Sequence, residues 1–170
     1  MRPLSPLPSH RRRGHLVAAV RDHVGLLSGL VAFAWILEIV DFLLFGRLDQ
    51  FGILPRTVAG IGGIVVAPVL HAGFGHLISN TIPFLVLGGV VLMGGRRVFI
   101  LASWFIILTG GTALWMFGPA GTVHIGASLL IFGYLGFLIA RGLFEKSVFW
   151  VVVGVVTVSY THLTLPTTVF

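Results

Sequence analysis

A short run of the sequence, HAGFGHLISN, holds three polar side chains inside an otherwise apolar stretch: His71, His76 and Asn80. His76 and Asn80 are four residues apart, so on a helix they project from the same face, one turn apart. Imidazole and carboxamide N–H groups can stabilise the oxyanion that forms when a nucleophile attacks an amide carbonyl, and one good donor contributes ~3–4 kcal/mol. We therefore interpret His76 and Asn80 as candidate oxyanion donors, with His71 at the junction of the preceding loop and this helix.

A serine in a second apolar segment, HIGASLLIFGYLG, is the candidate nucleophile. Ser128 follows Gly126 and Ala127, and small residues of this kind let neighbouring backbones approach closely. A serine in a transmembrane helix is usually structural, with its hydroxyl bonded to the carbonyl four residues earlier. A histidine and asparagine pair at a matching depth on another helix favours a nucleophilic role for Ser128 instead.

A metal site is the main chemical alternative for the histidines, and their spacing opposes it. His71 and His76 are five residues apart, which places them about 140° apart on a helix, unlike the i, i+4 histidines of an H-E-x-x-H zinc motif. No acidic residue accompanies them, and the chain contains no cysteine. We expect neither a metal nor an organic cofactor.

The elements that must position these groups are membrane-spanning helices. Hydrophobic residues make up 56% of the 170 residues and charged residues 9%, whereas a soluble domain carries roughly 25% charged residues. This composition excludes a water-soluble globular enzyme, and it excludes an intrinsically disordered chain. A span needs about 20 apolar helical residues. The segments that meet this length wholly or in part are 24–45, 76–94, 98–117, 126–142 and 147–157.

The segment between the first two spans, residues 46–75, is rich in glycine and proline. It is too broken for a spanning helix and too apolar for a solvated loop, so we expect it to be partly embedded and covered by protein. The span before this segment contains two carboxylates, and an ionised carboxylate in the hydrocarbon core of the bilayer costs free energy. We expect Glu38 to face a polar interior and Asp41 to lie at the membrane interface.

Basic residues are distributed unevenly between the two predicted sides of the membrane. With the N-terminus in the cytoplasm, only Arg47 and Arg56 lie outside. The other nine lie inside: Arg2, Arg11, Arg12, Arg13, Arg21, Arg96, Arg97, Arg141 and Lys146. This excess follows the positive-inside rule, so the net charge of +6 indicates topology, and no nucleic-acid partner is expected.

Together, the two polar motifs resemble those of the rhomboid intramembrane serine proteases. The family pattern H-x4-H-x3-N is matched by His71, His76 and Asn80. The serine motif G-x-S-G-x-x-F/Y-G is matched by Gly126, Ser128, Phe132 and Gly133. The order of the motifs, with one helix between them, also fits, and the resemblance runs from about residue 46 to residue 157.

The resemblance implies a role for each matching residue. It implies that Ser128 is the nucleophile and that His76 and Asn80, with the Ser128 backbone N–H, are the oxyanion donors. His71 would support the start of its helix and the loop. Phe132 would be the aromatic ring against which the catalytic histidine stacks. Residues 46–75 would be the family's membrane-embedded first loop.

The sequence departs from the family pattern at three points. Leu129 stands where the family usually has a glycine that permits close approach of the sixth helix, so a shift or a small residue opposite must accommodate it. Gly62 and Gly63 stand where the first loop often has Trp-Arg. The sixth helix, which should carry the general-base histidine, is missing from this chain. His162 lies too few residues after Ser128 to replace that base, and His124, one turn before Ser128, would align poorly for attack.

We therefore expect an all-α, rhomboid-like membrane helix bundle with five of six transmembrane helices. Residues 1–22 would be a flexible, basic cytoplasmic tail and 23–157 a protease domain without its last helix. Residues 158–167 resemble a translated transposase adapter from DNA library preparation, so residues 158–170 would be a non-native tail.

The expected function is an intramembrane serine endopeptidase of a bacterial plasma membrane that cleaves transmembrane substrates by a Ser–His dyad, with the truncated chain itself inactive. The alternatives are a non-catalytic rhomboid-like protein that binds transmembrane helices and, more weakly, a small transporter, for which only Glu38 would line a pathway.

Overall fold

A computed structural model of the chain describes residues 9–144, which form an all-α membrane bundle as predicted. The helices are α1 (Ser9–Leu43), α2 (Ala59–Val66), α3 (Phe74–Met93), α4 (Arg96–Phe117) and α5 (Ser128–Phe144). Two short 3-10 turns, Asp49–Phe51 and Ala67–Val69, flank α2. The predicted fifth segment, 147–157, and the expected non-native tail, 158–170, lie outside the described residues.

Helix α1 begins earlier than predicted. The basic tail expected over residues 1–22 is helical from Ser9 onward, and its expected flexibility and cytoplasmic position stay predictions. The sequence explains this start, because the last proline before the span is Pro8 and proline is tolerated only in the first turn of a helix. The apolar part of α1 that is long enough to span a membrane is Val20–Leu43.

Within residues 9–144, three helices are long and apolar enough to cross a membrane: α1 over Val20–Leu43, α3 and α4. They match the predicted segments 24–45, 76–94 and 98–117. The fourth predicted segment corresponds to α5, a shorter apolar helix of 17 residues. Only Gly94 and Gly95 separate α3 from α4, and so short a connection makes neighbouring helices antiparallel.

Helix α5 lies at the centre of the bundle, between α3 and α4. Ile131, Tyr134 and Leu138 on α5 are fully buried. The Tyr134 hydroxyl is paired with the Ser103 hydroxyl of α4 at 2.6 Å, so its polar atom is satisfied. Gly133 lies so close to α4 that a Cβ there would overlap the Ile106 side chain. Close packing of small residues is the main source of helix association in lipid, so this contact fixes the position of α5.

The segment predicted as a broken, covered loop contains α2 and is clamped to the end of α4. The Arg56 guanidinium donates hydrogen bonds to the carbonyl oxygens of Met116 (3.2 Å) and Gly118 (2.8 Å). The Trp115 indole N–H donates to the Thr57 carbonyl at 2.9 Å. These bonds satisfy carbonyl groups that the end of a helix leaves unpaired, and they hold the loop over the bundle.

Candidate active site

Ser128 is the first residue of α5, at the end of a turn that the loop holds in place. His124 and Ile53 exchange two backbone hydrogen bonds of 2.9 Å as an isolated antiparallel bridge. The Gly126 N–H donates to the Ala67 carbonyl at 2.8 Å. Because the first N–H groups of a helix have no partner within it, the backbone N–H of Ser128 is available to an external acceptor.

Gly126 joins the serine turn to the histidine of α3. Its φ is +106°, a left-handed conformation that favours glycine. A Cβ at this position would lie 2.6 Å from Cε1 and 2.8 Å from Nε2 of His76. The His76 ring therefore lies directly against the backbone two residues before Ser128, so two of the predicted site residues come together here.

Asn80 lies one turn along α3 from His76, on the same face, and only 1% of it is exposed. Its Nδ2 donates to the His76 carbonyl at 2.9 Å. A carboxamide nitrogen carries two N–H groups, so this bond leaves one available. Asn80 Oδ1 is buried without a hydrogen-bond partner among the described residues.

His71 lies just before α3 and is 3% exposed. Its ring packs edge-on against His76, with ring centroids 5.3 Å apart. Burial, with a smaller contribution from the charge of His76, lowers the pKa of His71 to about 4. The imidazole is therefore neutral near pH 7, both of its nitrogens are buried, and the Val69 backbone next to the ring partly offsets the lowering of its pKa.

Phe132 lies one turn after Ser128, and 46% of it is exposed. Gly136 continues the same face, and a Cβ there would meet no other described residue within 4 Å. On another face of α5, Leu129 packs against Gly110 of α4, whose added Cβ would lie 3.2 Å from Leu129 Cδ1. Gly110 thus gives Leu129 room against α4, whereas the prediction about the approach of a sixth helix at Leu129 stays a prediction.

The other candidate bases are placed differently. The hydrogen bond that the His124 ring makes goes to the Thr122 hydroxyl, at 2.9 Å from Nε2. The Ser128 hydroxyl makes no hydrogen bond to any residue of the described range. His162 lies outside the described residues. Over residues 9–144, no group of three or more histidine or acidic side chains is arranged to hold a metal ion.

Sequence reasoning singled out Glu38 and Asp41 near the end of α1 but missed Asp49, whose charge acts on Glu38. Glu38 and Asp41 are both buried in the bundle, and the interfacial depth expected of Asp41 and the polar interior expected around Glu38 stay predictions. The Asp41 carboxylate accepts a hydrogen bond from the Leu48 N–H at 2.6 Å, and this bond brings the chain back toward the helix. Asp49 follows at once, and burial, then the charge of Asp41, raises its pKa to about 6.

Comparison with known proteins identifies the family. The family model described as the Rhomboid domain matches residues 58–169. The chain belongs to the rhomboid family. Rhomboid-family resemblance was predicted from the His/Asn and serine motifs, and this prediction is confirmed.

The curated relatives are bacterial. An uncharacterized protein of Mycobacterium tuberculosis is 43% identical over 131 residues, covering 74% of this rhomboid chain and 55% of the relative. An uncharacterized Mycobacterium leprae protein is 40% identical over 129 residues, covering 73% and 51%. A Bacillus subtilis protein named "Putative rhomboid protease YdcA" is 33% identical over 131 residues, covering 71% and 66%. The chain thus spans about half the length of the mycobacterial relatives, and no solved structure gives a significant match.

Proposed function

We propose that this protein provides the nucleophile and oxyanion-binding part of an intramembrane serine endopeptidase that cleaves transmembrane substrates. The observation that carries the proposal is the contact between the His76 ring and Gly126, two residues from Ser128. Membership of the rhomboid family supports it, as does the name of the Bacillus subtilis relative.

The proposed chemistry begins with attack of the Ser128 Oγ on the carbonyl carbon of a substrate peptide bond. The carbonyl oxygen becomes an oxyanion, and it accepts hydrogen bonds from His76, Asn80 and the Ser128 backbone N–H. Removing one such donor typically lowers the rate by about 100-fold to 1000-fold. The serine proton must pass to a general base, because a serine hydroxyl at its ordinary pKa is a weak nucleophile.

We propose that the general base comes from a segment beyond residue 144. The His71 ring packs against His76 and the His124 ring is hydrogen-bonded to Thr122, so we assign the base to neither. The face of α5 that carries Ser128, Phe132 and Gly136 is suited to receive a helix, because small and aromatic side chains there leave room for a close approach. Residues 158–170 would then be a non-native substitute for that helix.

The experiment compares cleavage of a model transmembrane substrate in detergent by two forms of the protein. One is the 170-residue chain. In the other, residues 158–170 are replaced by the C-terminal region of the Mycobacterium tuberculosis relative. We expect the extended form to cleave, and the 170-residue chain to be at least about 1000-fold slower, because loss of one member of a catalytic set typically costs this much or more.

Variants of the extended form identify the nucleophile. Ser128→Ala should abolish cleavage, whereas Ser28→Ala, at an exposed position of α1, should leave it unchanged. Equal rates for the 170-residue and extended chains would assign the base to a histidine already present. Activity that survives in Ser128→Ala would exclude the serine mechanism.

A second function is favoured by the open face of α5. Phe132 is nearly half exposed, and with Gly136 it offers a surface on which a transmembrane helix can pack without being cut. A non-catalytic, helix-binding rhomboid protein would retain its partner in the Ser128→Ala variant and lose it in Gly136→Leu. Cross-linking in membranes separates the two functions, because a protease requires Ser128 and a binding protein does not.

A further inference from the structure

Glu38 of α1 lies against the start of α3, the helix that carries both proposed oxyanion donors. The residue is 4% exposed, and its carboxyl group lies next to the backbone N–H of Gly73, the residue that precedes α3. A buried polar group that makes no hydrogen bond costs free energy. A hydrogen bond between this carboxyl group and this N–H would therefore satisfy a group on each helix.

The N-terminus of α3 needs an acceptor from outside the helix. Its first backbone bond runs from the Leu77 N–H to the Gly73 carbonyl at 3.1 Å, so the preceding N–H groups have no partner within the helix. In a capping box, the third helical residue is Glu or Gln, and its side chain accepts from the N–H of the cap residue. The third residue of α3 is His76, whose ring lies against Gly126. Glu38, on a different helix, takes the place of that acceptor.

Aromatic contacts on both sides of Glu38 hold the same two helices together. Trp35 and Phe42 lie three residues before and four residues after Glu38, so the three side chains share one face of α1. The centroid of the Phe74 ring lies 6.2 Å from that of Trp35 and 5.8 Å from that of Phe42. The Trp35 indole N–H donates to the Thr81 hydroxyl at 3.2 Å. Helix α1 therefore contacts α3 both before and after the turn that carries the two donors.

We propose that Glu38 is a positioning residue, whose carboxyl group accepts a hydrogen bond from the Gly73 N–H and so fixes the start of α3 where His76 lies against Gly126. Because Glu38 Oε2 has no hydrogen-bond partner among the described residues, Oε1 is the oxygen assigned to this bond. Glu38 acts through the backbone of α3 and takes no part in bond making. The proposal rests on the proposed peptidase function, since it concerns a donor that acts in the transition state.

The first test does not depend on catalysis. In the 170-residue protein, Glu38→Met removes the acceptor at nearly constant volume. Glu38→Gln keeps an acceptor oxygen, and its amide nitrogen can donate to the nearby carboxylates of Asp41 and Asp49. We expect Glu38→Met to shift the NMR signal of the His76 imidazole and Glu38→Gln to leave that signal unchanged.

Ser103→Ala is the control for a general loss of stability, because it breaks the hydroxyl pair with Tyr134. It should lower the unfolding temperature and leave the His76 signal unchanged. The proposal is overturned if Glu38→Met leaves the His76 signal unchanged, or if Glu38→Gln or Ser103→Ala shifts it as much as Glu38→Met does.

The Gly73 amide signal keeps the test decisive if Glu38→Met does not fold. Glu38→Gln replaces a carboxyl acceptor by a carboxamide acceptor, so it should shift the signal of the Gly73 N–H. An unchanged Gly73 signal would refute the pairing of Glu38 with this N–H.

The second test measures cleavage by the extended form of the protein. The oxyanion exists only in the transition state, so a displaced donor lowers kcat and leaves KM unchanged. A displacement of about 1 Å can lower a rate about 100-fold, and we expect Glu38→Met to lower kcat about 10-fold to 100-fold and Glu38→Gln to restore it. An unchanged kcat in Glu38→Met, or a change confined to KM, would contradict the proposal. If the extended form itself does not cleave, the peptidase function fails, whereas the NMR comparison still tests the position of His76.

Discussion

Gly126 has two properties that a substitution would change together: a φ of +106° and a contact with the His76 ring. We expect Gly126→Ala to destabilise the protein by about 1–3 kcal/mol, the usual cost of a strained backbone conformation. The new Cβ would also push the His76 ring away from the serine turn. Thermal unfolding measures the first effect, and the NMR signal of the His76 imidazole reports the second.

Gly121 supplies the matched control for this prediction. It has a φ of +81°, but a Cβ there would meet no described residue within 4 Å. Gly121→Ala should therefore cost a similar amount of stability and leave the His76 signal unchanged. If both variants shift that signal equally, the contact between Gly126 and His76 does not position the ring.

Burial of the Asp49 carboxyl is expected to make the folded protein less stable as the pH rises. Its folded pKa of about 6 lies above the ordinary value of 3.8, so the folded state holds the proton more tightly than the unfolded state. The stabilisation from this proton is complete below pH 3.8 and is lost as the pH rises through 6. We expect Asp49→Asn to raise stability at about pH 8 by on the order of 1 kcal/mol, because solvent screens this partly exposed group.

The pH dependence of the Asp49→Asn effect is the decisive measurement. At about pH 4 the carboxyl is largely protonated and resembles the amide, so the two proteins should unfold at the same temperature. Asp22→Asn, at an exposed position of α1, serves as the control and should change neither value. A stabilisation by Asp49→Asn that is the same at both pH values would contradict the assignment.

At the scale of elements, the packing of α5 on α4 depends on Gly133 and Ile106. A Cβ on Gly133 would overlap the Ile106 side chain, and overpacking of this kind typically costs about 1–3 kcal/mol. Ile106→Ala removes the overlapping atoms at the cost of a cavity. The double variant Gly133→Ala/Ile106→Ala should lose less stability than the sum of the losses in Gly133→Ala and Ile106→Ala, by about 0.5–3 kcal/mol. Unfolding in detergent by a denaturant titration measures all three, and strict additivity would refute the contact.

The elements that could be predicted from the sequence are those determined by the length of an apolar run. Helices α3 and α4 follow from this criterion, because 20 and 22 residues of high hydropathy leave few alternatives. Helix α2 was not predicted, because its eight residues contain the sequence AGIGG and glycine disfavours helices. It forms because its glycines allow close contact with the chain before it: a Cβ on Gly60 or Gly63 would overlap the backbone at residues 52–54.

The arrangement of the site could be predicted only where the spacing of residues along one helix determines which side chains share a face. His76 and Asn80 share a helix face because they are four residues apart, and the structure shows this. The contact of His76 with Gly126 joins positions 50 residues apart in the numbering, and no local pattern in either motif encodes it. The same holds for Asp49 and Asp41, because the turn between them, closed by the Leu48 N–H, cannot be read from residue types.

At the scale of the whole molecule, the absence of cysteine allows a direct test of the proposed topology, in which the N-terminus is cytoplasmic. Phe45 is 95% exposed, so the cysteine introduced by Phe45→Cys should react with a membrane-impermeant maleimide in intact cells. Arg97 lies in the first turn of α4. The cysteine introduced by Arg97→Cys should react only after the membrane is permeabilised, because basic residues stay on the cytoplasmic side. The reverse labelling pattern would establish the opposite orientation.

The backbone bridge between Ile53 and His124, together with the bond from Gly126 to Ala67, makes the loop and the serine turn one mechanical unit. In native-state hydrogen exchange, the amide protons of Ile53, His124 and Gly126 should become exposed in the same opening event, with one free energy, as in other cooperative substructures. A molecule that displaces residues 52–54 from the bundle would pull on the peptide planes leading to Ser128. A movement of the loop would therefore move the backbone of Ser128, although the loop contributes no side chain to the proposed chemistry.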